Sequence, residues 1–192
     1  MEFEAFPKIQ RYEKAHCTIT EKIDGTNGCI IFPDHFPETG AYTVQSRKRI
    51  ITAGKQTDNA GFAGWVEKEV DRLYDFFGVG RHYGEWWGVS IQRGYDQTAR
   101  YFTPFNSHRF SDDYFMAMGV VGPPELRPLP VLWQGPLSEL SQGTDTAMDL
   151  LKSVGSIAAP GYVNPEGRMI YSQAFGYLKV PFENAHKWEL AG

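Results

Sequence analysis

The sequence predicts an α+β domain in which antiparallel sheets are flanked by helices. Short apolar runs indicate strands, two longer segments carry apolar residues at helical spacing, and Gly or Pro stands between most of them. Many short strands with only two long helices favour an α+β fold over a doubly wound one, in which strands and helices alternate. No internal repeat or low-complexity linker divides the chain, so one domain over residues 1–192 is expected.

The first half of the chain predicts strands followed by a helix. Strands are expected over residues 17–23 and 27–32, around a Gly-rich turn, and over residues 41–47. The helix follows from five apolar residues at helical spacing, namely Phe62, Val66, Val70, Leu73 and Phe77. Asp58 or Asn59 could cap its start, and the glycine after the last of these residues could end it.

The second half predicts a smaller number of elements separated by a long connection. They are a strand (82–91), a buried strand (113–121), a Gly- and Pro-rich surface loop (122–143), a helix (145–154) and two final strands (167–173 and 175–182). Thr144 or Asp145 is expected to cap the second helix.

The composition is that of an ordinary globular protein. Hydrophobic residues make up 42% of the chain, charged residues 22%, and the net charge is −4, whereas proteins that coat nucleic acid usually carry a basic surplus. The N-terminal segment has charges where a signal peptide needs an apolar core, and no apolar stretch approaches membrane-spanning length, so a cytoplasmic protein without a membrane partner is expected. Cys17 and Cys29 are too few for a disulfide framework, and the scattered histidines do not suggest a zinc site.

A local basic strip stands out from this acidic balance. Between residues 41 and 57 the chain carries Arg47, Lys48, Arg49 and Lys55 and no acidic residue. Such a strip suits a cleft that handles phosphate groups, and these four residues are the candidates for contacts with a polynucleotide backbone. By charge alone, the strip is equally well interpreted as the solvated edge of a hairpin.

The clearest chemical signal lies in residues 21–28, with the sequence EKIDGTNG. Lys22 stands two residues before Asp24-Gly25, at the end of a predicted strand. A lysine amine must lose its proton to attack phosphorus, and a strand-to-turn junction would hold that amine in one orientation, with Gly25 and Gly28 allowing a tight turn. The pattern Lys-x-Asp-Gly in residues 22–25 also occurs in ordinary hairpins, so assigning Lys22 a chemical role depends on the rest of the chain.

Five further segments follow in order: Ser46-Arg47, residues 83–88 with Glu85, residues 102–106 with Phe105, residues 166–171 with Glu166, and residues 178–181 with Lys179. Together with residues 21–28 they resemble the motif set of covalent nucleotidyltransferases, and within these the ATP-dependent polynucleotide ligases. Residues 21–28 most resemble the phage- and kinetoplastid-type RNA ligases, because Glu precedes the lysine and Asn follows in the turn. The resemblance implies a nucleotidyltransferase (ATP-grasp-like) domain, bacterial or phage-encoded, that acts on RNA ends and needs no obligate protein partner.

The resemblance also implies a role for each matched residue, with ATP and Mg²⁺ as cofactors. Lys22 would attack the α-phosphorus of ATP, Asp24 would help to orient it, and Lys179 would contact the α-phosphate. The residues implied in nucleotide binding are Glu21 and the backbone near Ile23 at the adenine edge, Arg47 and Glu85 at the ribose, and Phe105 on the adenine face. Glu166 and Asn27 would help to position a hydrated Mg²⁺. Arg81, Arg93, Arg100 and Arg109, with the aromatic residues between Tyr95 and Phe110, are further candidates for polynucleotide contacts.

The sequence departs from the pattern of its relatives at three positions. Tyr177 stands where relatives have the first of two lysines, so either binding of the triphosphate is weaker or Lys48 or Lys187 substitutes. Asn106 follows the stacking Phe105 where relatives have Asp, and Asp24 stands where the phage-like branch often has His. Only 13 residues follow Lys179, too few for an appended oligonucleotide-binding fold, and this favours an RNA ligase.

Two alternatives to an RNA ligase remain open from the sequence. One is a minimal DNA ligase or another nucleotidyltransferase on the same fold. The other is a non-catalytic module that binds 5′-phosphorylated or adenylylated ends, which the replacement of a lysine by Tyr177 would suit.

Overall fold

The computed structural model describes residue 11 and residues 15–54, 56–58 and 60–182. Lys55, Asn59 and Lys187, which the sequence singled out, lie outside these residues. Over the described part the elements are β1 (His16–Lys22), β2 (Thr26–Phe32), α1 (Phe36–Thr39), β3 (Thr43–Ser46), β4 (Ile50–Ile51), α2 (Phe62–Phe77), β5 (Gly80–Gly88), β6 (Arg100–Pro104), α3 (Asp112–Met118), β7 (Val131–Pro136), α4 (Leu140–Val154), β8 (Gly167–Ser172) and β9 (Gly176–Pro181), with 3₁₀ turns at Gly94–Asp96 and Leu137–Glu139.

The strands form two antiparallel sheets. The four-stranded sheet has the order β7-β1-β8-β9, and the five-stranded sheet has the order β4-β3-β2-β5-β6. The adjacent strands β1 and β2 belong to different sheets, so residues 23–25 connect one sheet to the other. This architecture confirms the predicted α+β class.

Helix α2 covers the outer face of the five-stranded sheet. Side chains alternate across a strand, so Ile30 and Phe32 of β2 point to the helix while Asn27 and Cys29 point the other way. The buried cluster under α2 is rich in large rings, including Phe62, Trp65, Phe76, Phe77, Trp86 and Phe102. Trp86 lies in this cluster and its neighbour Trp87 in another, as expected for consecutive residues of a strand.

Helix α4 covers the four-stranded sheet with a smaller apolar cluster. Ile19 of β1 and Ile170 of β8 pack with Ala147 of the helix. A third cluster joins Ile23, at the connection between the sheets, to Trp87, Tyr95 and Ala159. The two sheets thus have separate outer cores and a shared apolar cluster next to the connection that follows Lys22.

The strands and the helix predicted in the first half of the chain are confirmed, with one change in how the helix begins. Helix α2 spans Phe62–Phe77 and ends at Gly78, which has a φ of 67°. Its N-cap is Gly61 rather than Asp58 or Asn59. Asp58 still contributes, since its Oδ2 accepts a hydrogen bond of 2.8 Å from the N–H of Gly64 in the first turn.

Two predictions in the second half of the chain are wrong. Residues 113–121 do not form a buried strand, because helix α3 begins at Asp112, where the Ser111 side chain accepts a hydrogen bond from the N–H of Tyr114, and none of the helix residues is buried. A short apolar run is compatible with either element, and the N-cap decides it here.

The predicted loop over residues 122–143 contains strand β7 and the start of α4. Strand β7 pairs with β1, from His16↔Pro136 to Thr20↔Val131. The pairing is a long-range contact, and the Gly and Pro content of the local sequence predicts a loop instead. Helix α4 begins at Leu140, before the predicted caps Thr144 and Asp145.

Among the described residues, no helix combines the length and the apolar character needed to cross a membrane.

Candidate active site

A cleft of about 1400 Å³ lies between the inner faces of the two sheets. Thr18, Thr20 and Lys22 of β1 line it from one sheet, because the alternate residues Cys17, Ile19 and Glu21 face outward and are buried. From the other sheet it is lined by residues that include Asn27, Gln45, Arg81, Tyr83 and Glu85.

Lys22, which lines this cleft, forms an ion pair with Glu166. The Nζ of Lys22 contacts Oε1 of Glu166, and the two side chains are 21% and 17% exposed. Lys22 is the last residue of β1 and pairs in register with Gly167, the first residue of β8, which brings the preceding Glu166 beside the amine. Gly167 has a φ of 148°, and a Cβ at this position would lie 2.5 Å from the Val180 carbonyl oxygen, so this junction requires glycine.

Glu85 joins the turn after Lys22 to the five-stranded sheet. Its Oε1 accepts a hydrogen bond of 3.0 Å from the N–H of Gly25, and its Oε2 accepts one of 2.9 Å from Nδ2 of Asn27. Burial raises the pKa of Glu85 to about 7, an effect that the Lys22 charge and these two hydrogen bonds oppose and the nearby Glu166 carboxylate reinforces. A carboxyl group that titrates near neutral pH is typical of a functional site.

Gly25 and Gly28 are required for close packing rather than for a positive φ. Neither of them has a φ in the left-handed region. A Cβ on Gly25 would lie 2.5 Å from the Trp86 carbonyl oxygen, and a Cβ on Gly28 would lie 2.4 Å from the Phe62 ring. The prediction of a tight turn is wrong for Gly28, which lies within β2, whereas Gly25 lies in the bend before that strand. Their role is to let the segment lie against β5 and α2.

Asp24 is held by two residues that follow β5. Its Oδ2 lies 3.0 Å from Nε of Arg93, and its backbone N–H donates a hydrogen bond of 2.8 Å to the phenol oxygen of Tyr95. Tyr95 is fully buried. The sequence had grouped Arg93 and Tyr95 with possible polynucleotide contacts, and nothing in their spacing indicated that they hold the turn next to Lys22.

Glu21 faces away from Lys22 and binds the segment after α4. Its Oε1 accepts a hydrogen bond of 2.6 Å from the Ser156 hydroxyl, and its Oε2 accepts bonds of 2.8 and 2.9 Å from the N–H groups of Ile157 and Ala158. Burial raises the pKa of Glu21, while these three hydrogen bonds act in the opposite direction. Three donors thus occupy the carboxylate that the resemblance had assigned to the adenine edge, and sequence reasoning missed Ser156.

The remaining residues predicted to bind the nucleotide lie along the walls of the same cleft. Arg47, Phe105 and Lys179 all line it, and so does the backbone segment with Ile23, whose side chain is buried. The N–H of Phe105 donates a hydrogen bond of 2.9 Å to the Tyr83 carbonyl oxygen, which fixes the segment after β6 against β5. Met169 pairs in register with Lys179 and adds an apolar side chain to the lining that the sequence did not single out.

The candidates for polynucleotide contacts separate into residues that line the cleft, exposed residues of the β3–β4 turn, and residues with a structural role. Arg47, Arg81 and Arg109 line the cleft. Lys48 and Arg49 are exposed in the β3–β4 turn, where Nη2 of Arg49 donates a hydrogen bond of 3.4 Å to the Thr57 carbonyl oxygen.

Arg100 has a structural role, because its guanidinium donates hydrogen bonds to the carbonyl oxygens of Val89 and Ala60. Among the aromatic candidates, Tyr95, Phe102 and Phe110 are core residues, and Phe105 lines the cleft. The prediction that aromatic residues between 95 and 110 stack on bases is therefore wrong for Tyr95 and Phe102, which are fully buried. Phe110 is buried but borders the cleft.

The acidic groups of the cleft are suited to a metal ion that keeps water or substrate ligands. Oε2 of Glu166 is buried without a hydrogen-bond partner, although Oε1 pairs with Lys22. No group of three or more His, Cys, Asp or Glu side chains in the described part of the chain is arranged to hold a metal. Mg²⁺ commonly binds through one or two carboxylates together with waters and phosphate oxygens, and Glu166 fits that pattern with the Asn27 amide nearby.

Comparison with known proteins gives one consistent family. The family model described as RNA ligase matches residues 15–167. No curated protein sequence matches the chain.

Among solved structures, a mutant of the Naegleria gruberi RNA ligase in its apo form superposes with a TM-score of 0.61 at 16% identity, covering 94% of this chain and 53% of that one. A mutant of the same protein with ATP and Mn gives a TM-score of 0.62 at 15% identity, covering 92% and 52%. The chain thus spans about half the length of these structural relatives, and the likeness establishes a shared fold.

Proposed function

This chain belongs to the RNA ligase family, and we propose that it is an ATP-dependent RNA ligase that joins 5′-phosphate and 3′-hydroxyl ends. The observation that carries the proposal is the Lys22–Glu166 ion pair in a cleft between two sheets. A lysine amine with a carboxylate beside it, cations on the same wall and a half-buried ring nearby suit the transfer of a nucleotide. The chain acts, on this proposal, as a single nucleotidyltransferase domain in the cytoplasm, where ATP and RNA ends are present.

In the first step, the neutral amine of Lys22 attacks the α-phosphorus of ATP. A phosphorus–nitrogen bond forms, the bond to the bridging oxygen of the β-phosphate breaks, pyrophosphate leaves, and the attacking nitrogen gives up one proton to solvent. Lys179 and Arg47 stabilise the negative charge that spreads over the phosphate oxygens. Asp24, fixed by Arg93, keeps the turn in the position that directs the amine.

Glu166 has two alternative partners in this step. Its carboxylate pairs with Lys22, and its second oxygen is free to accept a metal ligand bond. Mg²⁺, where it binds, neutralises phosphate charge and orients the leaving group. Glu166 and Asn27 would hold this metal, and the Glu166 carboxylate also positions the amine of Lys22.

The other cleft residues hold the nucleotide. Glu85 accepts hydrogen bonds from the ribose hydroxyl groups, and Phe105 stacks on the adenine face. The backbone near Ile23 reads the adenine edge, and the carboxylate of Glu21 holds the 156–158 segment, whose Ala158 packs against the cluster that contains Ile23. Each role agrees with the position of the residue on the cleft wall or directly behind it.

The later steps require a polynucleotide. An oxygen of the 5′-phosphate attacks the phosphorus of the lysyl adenylate, the phosphorus–nitrogen bond breaks, and Lys22 regains its proton. A 3′-hydroxyl then attacks the 5′-phosphorus, and AMP leaves. Arg47, Lys48, Arg49 and Lys55, together with Arg81 and Arg109, are the residues that we propose for the RNA backbone.

The experiment is incubation of the full chain with α-labelled ATP and Mg²⁺, followed by a denaturing gel and peptide mapping. The label is expected on Lys22, and Lys22→Ala and Lys22→Arg should both lose it, because guanidinium stays protonated. Lys152→Ala is the matched control, since Lys152 is exposed on α4 outside the cleft, and it should label normally. A folded wild-type chain that takes up no label would contradict the proposal and favour a non-catalytic module that binds 5′-phosphorylated ends.

The choice of RNA is tested separately. Single-stranded RNA, nicked RNA and nicked DNA are offered in competition to the adenylylated protein. Faster sealing of the nicked DNA would favour the minimal DNA ligase.

A further inference from the structure

Two tyrosine rings lie side by side on the cleft face of the four-stranded sheet. Tyr171 of β8 pairs in register with Tyr177 of β9, their ring centroids are 4.6 Å apart, and the angle between the ring planes is 38°. Both residues line the cleft, and Tyr177 is 59% exposed. A large ring with so much exposed surface contributes little to a core, which leaves its face accessible to a ligand.

The register of the sheet fixes the distance of this pair from the reacting amine. Lys22 lies level with Gly167, Met169 lies level with Lys179, and Tyr171 lies level with Tyr177. At about 3.4 Å per residue, Lys179 lies one row, about 7 Å, along the strands from Lys22, and the tyrosines lie about 14 Å along. The inner face of this sheet thus carries Lys22 in the first row, Lys179 in the second row and the tyrosine pair in the third row.

We propose that Tyr171 and Tyr177 form a stacking platform for an unpaired nucleobase of the RNA end that receives AMP. The proposal rests on the proposed function and adds a substrate preference to it. Phosphate groups bind at the lysine rows, and a base near the 5′ end reaches the tyrosine row. Aromatic side chains beside cations are the usual means of holding single strands, because every base has a π face.

The arrangement favours a single-stranded end over a nick in a duplex. A base in a nicked duplex is already stacked and paired, so it gains little from the platform, whereas an unpaired base loses little by binding there. Burial and the neighbouring Tyr171 raise the pKa of Tyr177, so the ring stays neutral and adds no repulsion toward phosphate.

A cross-strand tyrosine pair also stabilises its own hairpin, so the test needs a readout that stability does not change. Two 5′-phosphorylated RNA oligonucleotides carry 2-aminopurine, one at the first and one at the second nucleotide, and each is titrated with the full chain without ATP. Stacking quenches the fluorescence of this base. We expect quenching of at least one oligonucleotide by the wild type and by Tyr177→Phe.

Tyr177→Leu and Tyr171→Leu are each expected to remove the quenching and to raise the Kd about 5- to 150-fold. Phe175→Leu is the matched control, because Phe175 is 40% exposed in the turn of the same hairpin and does not line the cleft. It should quench like the wild type. The same base placed in a nicked duplex should show no added quenching.

Three outcomes would overturn the platform. In the first, the wild type quenches neither oligonucleotide. In the second, both Leu variants quench as strongly as the wild type. In the third, the Leu variants raise the KM for ATP in self-adenylylation as much as they raise the Kd for RNA. The last outcome would assign the rings to the ATP site. Urea unfolding of each variant separates loss of folding from loss of stacking. Because quenching is measured without ATP and labelling of Lys22 without RNA, failure of the platform and failure of the ligase function give different results.

Discussion

The two sheets that form the cleft differ on both of their faces. On the outside, the five-stranded sheet packs on a cluster of large aromatic rings under α2, whereas the four-stranded sheet packs on Ile19, Ile170 and Ala147 under α4. On the inside, the four-stranded sheet contributes Lys22 and Lys179, and the five-stranded sheet contributes Glu85 and Asn27. The site therefore combines a lightly packed sheet that carries two lysines with a heavily packed sheet that carries hydrogen-bonding groups together with Arg81.

A buried glutamate has a different role in each of the two sheets. Glu21 and Glu85 are both buried, and burial raises the pKa of each. Glu21 points outward from its sheet and holds the 156–158 segment through three hydrogen bonds, whereas Glu85 points into the cleft between Lys22 and Asn27. The first carboxylate anchors the fold, and the second belongs to the site.

The largest expected effect is the loss of an aromatic ring from the five-stranded sheet. Phe102 is fully buried and stacks on Phe62 at a centroid distance of 5.1 Å. Phe102→Ala should lower the free energy of unfolding by about 3–5 kcal/mol. Ile19→Ala, its fully buried counterpart in the other sheet, should cost about 2–3 kcal/mol, because α4 can move onto a smaller cluster. Urea denaturation measures both, and a larger loss for Ile19→Ala would contradict the comparison of the two cores.

The next effect separates the two glutamates. Glu21→Gln leaves one amide oxygen for three donors and turns an NH₂ group toward the others, so it should lower the free energy of unfolding by about 2–3 kcal/mol. A variant that is folded under assay conditions should still label on Lys22 with ATP. Urea denaturation and the labelling assay check this prediction, and a stable protein with a strongly raised KM for ATP would instead support direct contact of Glu21 with adenine.

The smallest effect, within any one pH unit, is a change in how stability depends on pH. The pKa of Glu85 is about 7 in the folded chain and about 4.5 when unfolded, so the folded chain binds the extra proton between these values, and stability falls as pH rises from about 4.5 to about 7. Glu85→Gln cannot titrate, so it should flatten this fall by at most about 1.4 kcal/mol per pH unit. Urea denaturation at several pH values measures the slope. The matched variant Glu67→Gln, in the first turns of α2, should keep it, and an unchanged slope in Glu85→Gln would show that this carboxyl does not titrate in that range.

Local patterns predicted most of the strands, helix α2 and the position of Lys22. Period-two alternation in β1 and β2 decides which residues face inward, and the apolar spacing in residues 62–77 decides the helix, so both can be read without tertiary contacts. The prediction failed where a partner distant in sequence decides the structure. Strand β7 exists because it pairs with β1, more than a hundred residues earlier, and its own Gly and Pro content favours a loop.

The candidate site shows the same division. The order of the motifs was sufficient to predict which residues line one cleft, including Lys22, Glu85, Phe105 and Lys179. It could not predict that Arg93 pairs with Asp24, that Ser156 binds Glu21, or that Gly28 is required by the Phe62 ring. The sequence by itself determined the candidates for the reacting groups, because their chemistry resides in residue types and local spacing. Only the tertiary structure decided which partners hold those groups, because hydrogen bonds and ion pairs between distant segments depend on how the sheets and helices pack.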